Sequence, residues 1–518
     1  MSAARGAIAA GHPATAEVGA EVLRAGGSAV DACVAAAFAS WVAEPALTGP
    51  GGGGFMVAFD ATRRLPLAID CFVAVPGNGH GGRPVAPLEP YVVDFGTGQQ
   101  TFLVGPGSCA VPGVTAGLEY AHRRLGRLPW SELAQPAIAI ARRGVELTPA
   151  HADVIALLKG FLGASPEGAR VFGGSETPLR AGERTSNPPL GDTLERIAAN
   201  GARELADGET AHALVAHQAA TGGRLTAADL AAYRAIRRRP LALPYRGHVF
   251  VTNPPPSSGG TLIAHALAVL AGGPRLSRPL APESVSRVAT ALRSANAQRT
   301  PAFERALYRG GAVRRVLEAA GSGQMSLAAS ATWQSQSPWT TQISVLDADG
   351  NAASLTCSTG CGSGVVVPGT GVHLNNMLGE TDLNVASLEL APGMRLTSMM
   401  APSLVLGEGG VELVLGSSGS ARIRSAIVGV VVAAVDLGLP LQEAVELARV
   451  HPEGEVLDCE GGIPVETLDA LEAAGEQIVR WPGRNIYFGG AQVVGRNRAG
   501  FSAAGDPRRG GVGVVVDA

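Results

Sequence analysis

Four short segments of this 518-residue chain carry residue types that could do chemistry. The pair Thr340-Thr341 opens TTQISVLDADGN, whose alternation predicts a strand, directly after the polar stretch SQSPW. A threonine at a chain terminus is nucleophile and base in one residue, because its free α-amine lies beside its own hydroxyl and can accept the proton. An internal threonine reaches that state by attacking the preceding carbonyl, after which the resulting ester hydrolyses. A Thr-Thr pair at the head of a strand is equally what β-propensity selects, so the residues alone leave both readings open. GSSGS at Gly416–Ser420 lacks the G-x-S-x-G form of a serine-hydrolase elbow, and the ten histidines offer no partner at telling spacing. Cys357 and Cys361 are spaced CxxxC with no nearby His and no second tight cluster, which is not a zinc pattern. The four glycines Gly51–Gly54 lack the Lys-Ser/Thr that grips a nucleotide. They predict close backbone packing at the start of a strand instead.

The elements that must position these residues change texture along the chain. Residues 14–43 read as two helices, the first stopping at Gly26-Gly27 and the second opened by Ser28 with Asp31 as a capping box. The second, AVDACVAAAFASWVAEP, is nearly all small and apolar and is predicted to be buried on more than one side. Strands are predicted at Phe55–Asp60 and Leu67–Asp70, helices at residues 114–126 and after Pro129, and helices dominate from there to about residue 330. From Pro338 the chain reads as strands: TTQISVLDADGN and AASLT joined by a hairpin turn at Asp347–Gly350, GVVVPGTGVHLNN, then PSLVLGEGGVELVLGS. A long helix is predicted from Arg424 to about Leu439 and another over Leu441–Arg449, with IYFGGAQVVG and GVGVVVD as strands in the tail. The helix-rich first part and the strand-rich last third are expected to build one layered body.

Composition narrows the function classes. Hydrophobic residues make up 46% of the chain and charged residues only 16%, with 70 glycines and 35 prolines filling the difference. A net charge of -3 with no basic run gives no footprint for nucleic acid. The arginines near Arg123 and Arg237 read as solvated. Six cysteines are too few for a disulfide scaffold of this size. No stretch approaches a membrane span, the nearest being Ile427–Leu439, and the first residues lack the form of a signal peptide. A soluble cytoplasmic protein is the expectation.

Read in order, longer blocks carry a resemblance. HPATAEVGAEVLRAGGSAVDACVAAAFASWVAEP followed by GGGGF, VPGVTAGLEYAHRRLGRLPWSEL from Val111, TTQISVLDADGNAASLT at Thr340, GVHLNN, the MAPS and LVLGSSGSAR blocks, FGGAQ at Phe488 and DPRRGG at Asp506 together resemble the γ-glutamyltransferase family of N-terminal nucleophile hydrolases, from about residue 10 to the end. The resemblance implies an α+β fold, a four-layer αββα sandwich. It also implies autoproteolysis between Trp339 and Thr340 into a large subunit of residues 1–339 and a small subunit of residues 340–518. These would stay together as a heterodimer, with any higher oligomer left open. Thr340 matches the family's nucleophile and Ser358 the second threonine that positions it. Gly419 and Ser420 match the paired glycines whose N–H groups hold the oxyanion, a main-chain role that survives Gly to Ser. Arg422 matches an arginine of the same loop. No cofactor and no metal are implied, because nucleophile, base and oxyanion donors are all protein groups.

The departures concern recognition. Phe72 stands where the family places the arginine that reads the substrate α-carboxylate, and Ser398-Met399 stand where it has two serines. Glu380 matches the acidic residue that grips the α-amine, one methylene longer than the usual Asp. The asparagine after the second threonine has no counterpart in TCSTGCGSG. Arginine offers five donors to a carboxylate and phenylalanine none, so Arg395 and Arg422 are the first candidates to replace the missing guanidinium. The acyl-transfer machinery is thus expected to be intact while the glutamate-reading groups are not. The leading function is an autoprocessed amidohydrolase or acyltransferase working through an acyl-threonine on a small-molecule substrate other than glutathione. Two alternatives stand beside it. One is a C–C bond hydrolase acting on an unsaturated or aromatic-derived keto intermediate in an antibiotic or other natural-product pathway; the other is a genuine γ-glutamyl hydrolase or transpeptidase. A non-enzymatic binding protein, the remaining class, would be favoured by loss of Thr340, which is present.

Overall fold

The computed structural model describes residues 5–94, 99–321, 339–380, 383 and 389–517. Two sheets lie face to face. The first has seven strands in the order Val512–Val516, Gly6–Ala10, Thr341–Asp347, Ala352–Ser358, Gly53–Asp60, Leu65–Cys71 and Ile236–Arg238, all neighbours antiparallel. The second has six, in the order Gly500–Ala504, Gly490–Asn497, Gly410–Ser418, Ser403–Gly407, His248–Thr252 and Leu241–Tyr245. Between them Ala7, Val57, Leu346, Leu404, Val414 and Val494 form a shared apolar layer. Outside the first sheet lie helices Pro13–Arg24, Ala29–Ala43, Trp130–Arg143 and Pro188–Asn200. Gly259–Ala271, Pro282–Ala297 and Arg422–Val431 cover the second. This is the expected αββα order of layers, with alternate residues of each strand serving the two cores.

The helix Ala29–Ala43 is buried at every residue, as its small, apolar sequence requires, and its capping box of Ser28 and Asp31 is formed. The four-glycine run is a packing device. A methyl added at Gly51 would lie 2.2 Å from the His373 carbonyl oxygen, at Gly52 2.3 Å from that of Ser358, and at Gly54 2.5 Å from that of Thr356. Only glycine lets three backbones approach this closely. The hairpin at Asp347–Gly350 is present, its turn held by Asp347 accepting from the N–H groups of Asp349 and Asn351.

Three expectations are corrected. The helical first part contains the strands Ile236–Arg238, Leu241–Tyr245 and His248–Thr252, which supply an edge to each sheet. Pro244 obscures the second of them, and it is tolerated because that strand is outermost. The helix expected to run to Leu439 is α-helical only over Arg422–Val431 and widens into a π-turn at Val432–Asp436. There the buried Asp436 carboxylate faces Arg246 at 3.4 Å and accepts from the Leu276 N–H. The helix expected over Leu441–Arg449 ends at Glu446. Arg449 instead turns inward to Asp506 at 2.5 Å. The polar stretch before Trp339 lies outside the described residues. No helix among the described residues is long and apolar enough to cross a membrane.

Candidate active site

The register of the first sheet draws a row across it: Thr341 opposite Cys357, Cys357 opposite Gly54, Gly54 opposite Cys71. One residue outward, Ser358 faces Gly53, with Thr340 and Phe72 at the adjoining strand ends. Four residues far apart in sequence therefore share one end of one sheet. Alternation fixes their faces. Thr341, Ile343 and Val345 turn to the outer helices, while Gln342, Ser344 and Leu346 turn to the second sheet. Thr340 continues the inward set. Gln342 packs on Gly416, where an added methyl would lie 2.1 Å from its Oε1, so the Gly416–Ser420 segment meets this same end.

Thr340 is 1% exposed and Trp339 fully buried. The Ser358 hydroxyl donates to the Trp339 carbonyl oxygen at 2.5 Å and accepts from the Gly360 N–H at 2.7 Å. The carbonyl it polarises belongs to the peptide bond before Thr340, the one an attacking Thr340 hydroxyl would open. A hydrogen-bond donor already seated on that oxygen stabilises the charge that attack develops.

Beyond strand Gly410–Ser418 the chain turns sharply. Gly419 has φ +115 and Ser420 φ +51, the latter one of four non-glycine residues in the left-handed region among those described. Their carbonyls begin the next helix, accepting from Arg422 and Ile423. Among the described residues no acceptor takes the N–H of either Gly419 or Ser420. Two consecutive unused donors at a strained turn are what an oxyanion requires.

Behind Thr341 lies a buried polar network that sequence reasoning missed. Glu44, at the end of helix Ala29–Ala43, accepts from the Thr341 hydroxyl at 2.5 Å and the Thr15 hydroxyl at 2.8 Å, with His151 Nε2 3.8 Å away. Burial pushes the Glu44 carboxyl up, but His151, Thr341 and His12 outweigh it and hold it below its ordinary value. The His12 ring lies 5.1 Å from that of His151, tilted by 57°, and burial with that neighbour brings its imidazole down to about 4. The only sequence signal was the acidic residue ending an otherwise apolar helix.

The recognition residues divide. Phe72 is fully buried and stacks on Phe55 at 5.3 Å, in one apolar cluster with Met377, Leu396 and Met399. Ser398 uses its hydroxyl as an acceptor for the Met400 N–H, and Met399 offers its sulfur to the Ser258 hydroxyl at 3.4 Å. Glu380 is buried over Gly360, where an added methyl would lie 2.3 Å from its Oε1, and so reaches the Ser358 loop. Both candidate replacement arginines already have partners. Arg395 is bound to Asp70 at 3.4 Å, to the Arg234 carbonyl and to the Tyr233 ring. Arg422 lies over the Tyr487 ring at 3.9 Å, with Glu453 at 3.9 Å. Asn375, also unforeseen, staples the floor, donating to the carbonyls of Gly51 and Ala110 and accepting from the N–H groups of Ala110 and Met377.

Known proteins share this arrangement of chain. Residues 15–516 match the Gamma-glutamyltranspeptidase family. The acylase ACY 1 proenzyme of Pseudomonas sp. (strain SE83) is 34% identical over 93% of this chain and 88% of its own. The glutathione hydrolase proenzyme of Pseudomonas aeruginosa is 33% identical over 99% of this chain and 94% of its own. The crystal structure of cephalosporin acylase from Bacillus halodurans superposes with a TM-score of 0.84 at 24% identity, covering 100% of this chain and 97% of that one, which establishes the sandwich. Whole-chain agreement in sequence and fold leaves one assignment: the chain belongs to the gamma-glutamyltranspeptidase family, as a threonine hydrolase or transferase of the N-terminal nucleophile kind.

Proposed function

We propose that this chain cuts itself between Trp339 and Thr340 and then works as an acylase, transferring the acyl group of a small amide donor other than glutathione through an ester on Thr340. The observation that carries the reading is the Ser358 hydroxyl held 2.5 Å from the Trp339 carbonyl oxygen, beside the first residue of the strand Thr341–Asp347. Attack by the Thr340 hydroxyl on that carbonyl gives an ester, and water releases Trp339 as the large chain's terminal carboxylate. The freed amine of Thr340 then takes the hydroxyl proton when a substrate carbonyl is attacked, and Gly419 and Ser420 supply the oxyanion donors. Phe72 and Met399 argue against glutathione. A glutamyl α-carboxylate would meet an aromatic ring and a thioether, losing charge-assisted hydrogen bonds of about 1.5–3 kcal/mol each. Likeness to an acylase proenzyme over most of both chains favours an amide donor over C–C cleavage.

Intact-mass spectrometry should resolve the purified protein into residues 1–339 and 340–518. Thr340→Ala should remain one chain and turn over nothing. Uncut protein with turnover, or full activity in Thr340→Ala, removes the mechanism. Glutathione should be hydrolysed at least about a hundredfold less efficiently than by the Pseudomonas aeruginosa relative assayed beside it, at about 1.4 kcal/mol per tenfold. Parity would return glutathione as the substrate.

A further inference from the structure

The proposed cut would leave the nucleophile at a chain end, and chain ends fray unless something ties them down. Thr340 would then be joined to the fold through Thr341 alone. The hold on Thr341 therefore decides where the nucleophile points. The sheet supplies half of that hold. On one flank Thr341 pairs with Cys357. On the other, the ladder with Gly6–Ala10 stops early, its last pair being Ala10 with Ile343. Beyond Ala10 the chain leaves the sheet through Gly11 and His12, the latter capping the helix Pro13–Arg24. Gln342 and Thr341 thus run past the end of their neighbour.

Glu44 stands in that gap. Its Oε2 accepts from the Thr341 hydroxyl at 2.5 Å. A methyl added at Gly11 would lie 2.5 Å from this oxygen and 2.9 Å from the Thr341 hydroxyl, so the carboxylate takes the space of a side chain at residue 11 and only glycine admits it. The carboxylate is itself firmly held. It closes the helix Ala29–Ala43, buried at every residue, with its own N–H donating to the Ser40 carbonyl. Its Oε1 accepts from the Thr15 hydroxyl at 2.8 Å, and His151 faces Oε2 at 3.8 Å from the helix Pro149–Leu162. His151 is anchored in turn by the Thr148 hydroxyl at 2.6 Å. A hydrogen bond to an ionised, fully buried acceptor is about twice as strong as one between neutral groups. Glu44, Thr15, Thr148 and His151 all precede the proposed cut and Thr341 follows it, so this bond would tie one product chain to the other.

We infer that Glu44 is a positioning residue that pins the new amino terminus: through the Thr341 hydroxyl it holds the start of the small chain in the sheet and keeps the Thr340 hydroxyl and amine aimed at the substrate carbonyl. This rests on the Thr340 reading proposed above, and it implies an asymmetry in time. Before the cut, Trp339 secures Thr340 from the other side, buried in its apolar cluster with its carbonyl bound by Ser358. The pin is redundant then and needed afterwards.

Thr341→Val keeps the β-branched shape and removes only the hydroxyl. The acyl probe is p-nitrophenyl acetate: the Thr340 hydroxyl attacks its carbonyl, the amine takes the proton and p-nitrophenolate leaves. The readouts are p-nitrophenolate release and an acetyl group mapped to residue 340 by mass spectrometry. Thr341→Val should still cut itself, within about threefold of the wild-type rate, while the maximal rate of acylation of the cut protein falls about tenfold or more with little change in half-saturation. Thr341→Ser should recover most of that loss. Glu44→Gln keeps an acceptor without the charge and should fall between, and adding it to Thr341→Val should cost nothing more, because both remove one bond. Hydrogen exchange over residues 340–347 gives a readout without chemistry. It should be faster in cut Thr341→Val than in cut wild type, and equal in uncut chains that carry Thr340→Ala with and without Thr341→Val. Undiminished acylation in Thr341→Val, unchanged exchange after the cut, or self-cleavage slowed as much as acylation overturns the inference, the last by making the bond a device of the precursor. Failure of the Thr340 reading shows separately, as wild-type protein that stays one chain or an acetyl group carried elsewhere.

Discussion

In the proposed mechanism Ser358 acts through its hydroxyl and Ser420 through its backbone N–H, and their substitutions should separate the two roles. Ser358→Ala removes the donor on the Trp339 carbonyl, and self-cleavage should slow by about 10²–10³-fold, the cost of one oxyanion donor. Ser358→Thr keeps the hydroxyl and should cleave at a rate nearer the wild type, both followed as loss of full-length chain on denaturing gels. Unslowed cleavage in Ser358→Ala would leave that hydrogen bond without a role. Ser420 contributes backbone only, at φ +51, so Ser420→Gly should preserve turnover and raise stability by about 0.5–1 kcal/mol in urea unfolding. Gly419→Ala should lose both, because its Cβ would lie 2.8 Å from the Gly489 Cα at φ +115. Thr340 was legible through the company it keeps, since a Thr-Thr pair by itself is only a strand former. Phe72 was legible as the loss of a guanidinium. Glu44 was not: an acidic residue closing an apolar helix reads as a helix end until the fold brings it under the Thr341 hydroxyl.

Among the elements, the glycine run is the one whose geometry a single methyl can probe. Gly52→Ala would drive its Cβ to 2.3 Å from the Ser358 carbonyl oxygen, which is backbone and cannot rotate away. It should cost about 1–3 kcal/mol and disturb the residue that touches the Trp339 carbonyl. Gly429→Ala, in the helix Arg422–Val431 with nothing within 4 Å, should instead stabilise by about 0.5–1 kcal/mol. Similar midpoints for the two variants would deny that close approach explains the run. Periodicity found the elements whose burial is one-sided or complete: the paired N-terminal helices, the Asp347–Gly350 hairpin, the strands Ser403–Gly407 and Gly410–Ser418. It failed at Leu241–Tyr245, where the alternation is real but a proline breaks the signal. It also overran the helix at Val431, because the apolar sequence continues while the buried Asp436 sets a wider turn.

At the scale of the whole molecule, buried histidines set the response to acid. Burial holds His12 and His373 down to about 4 and His451 well below its ordinary value. The unfolded chain takes up protons near 6.5 that the folded chain refuses. Stability therefore falls as pH drops from about 6.5 to about 4, by up to about 1.4 kcal/mol per unit for each such histidine. Glu44, held low when folded, adds a loss that begins only below its unfolded value. Thermal unfolding at fixed ionic strength should show Tm dropping steeply between pH 6.5 and 4.5, and a flat profile there would contradict neutral burial of these rings.

The seven-stranded sheet also has a direction in time. Strand Thr341–Asp347 lies between Gly6–Ala10 and Ala352–Ser358, and Ala352–Ser358 lies in turn against Gly53–Asp60. Before the cut, those ladders close within one chain, at the cost of loop entropy alone. After the proposed cut, the same ladders would join two chains, threaded through each other strand by strand. A protein cut there would be a product of its own history, native in shape but reachable only by folding first and cutting second. Its durability would be set by how slowly it opens, since pieces that do separate must find each other from dilute solution.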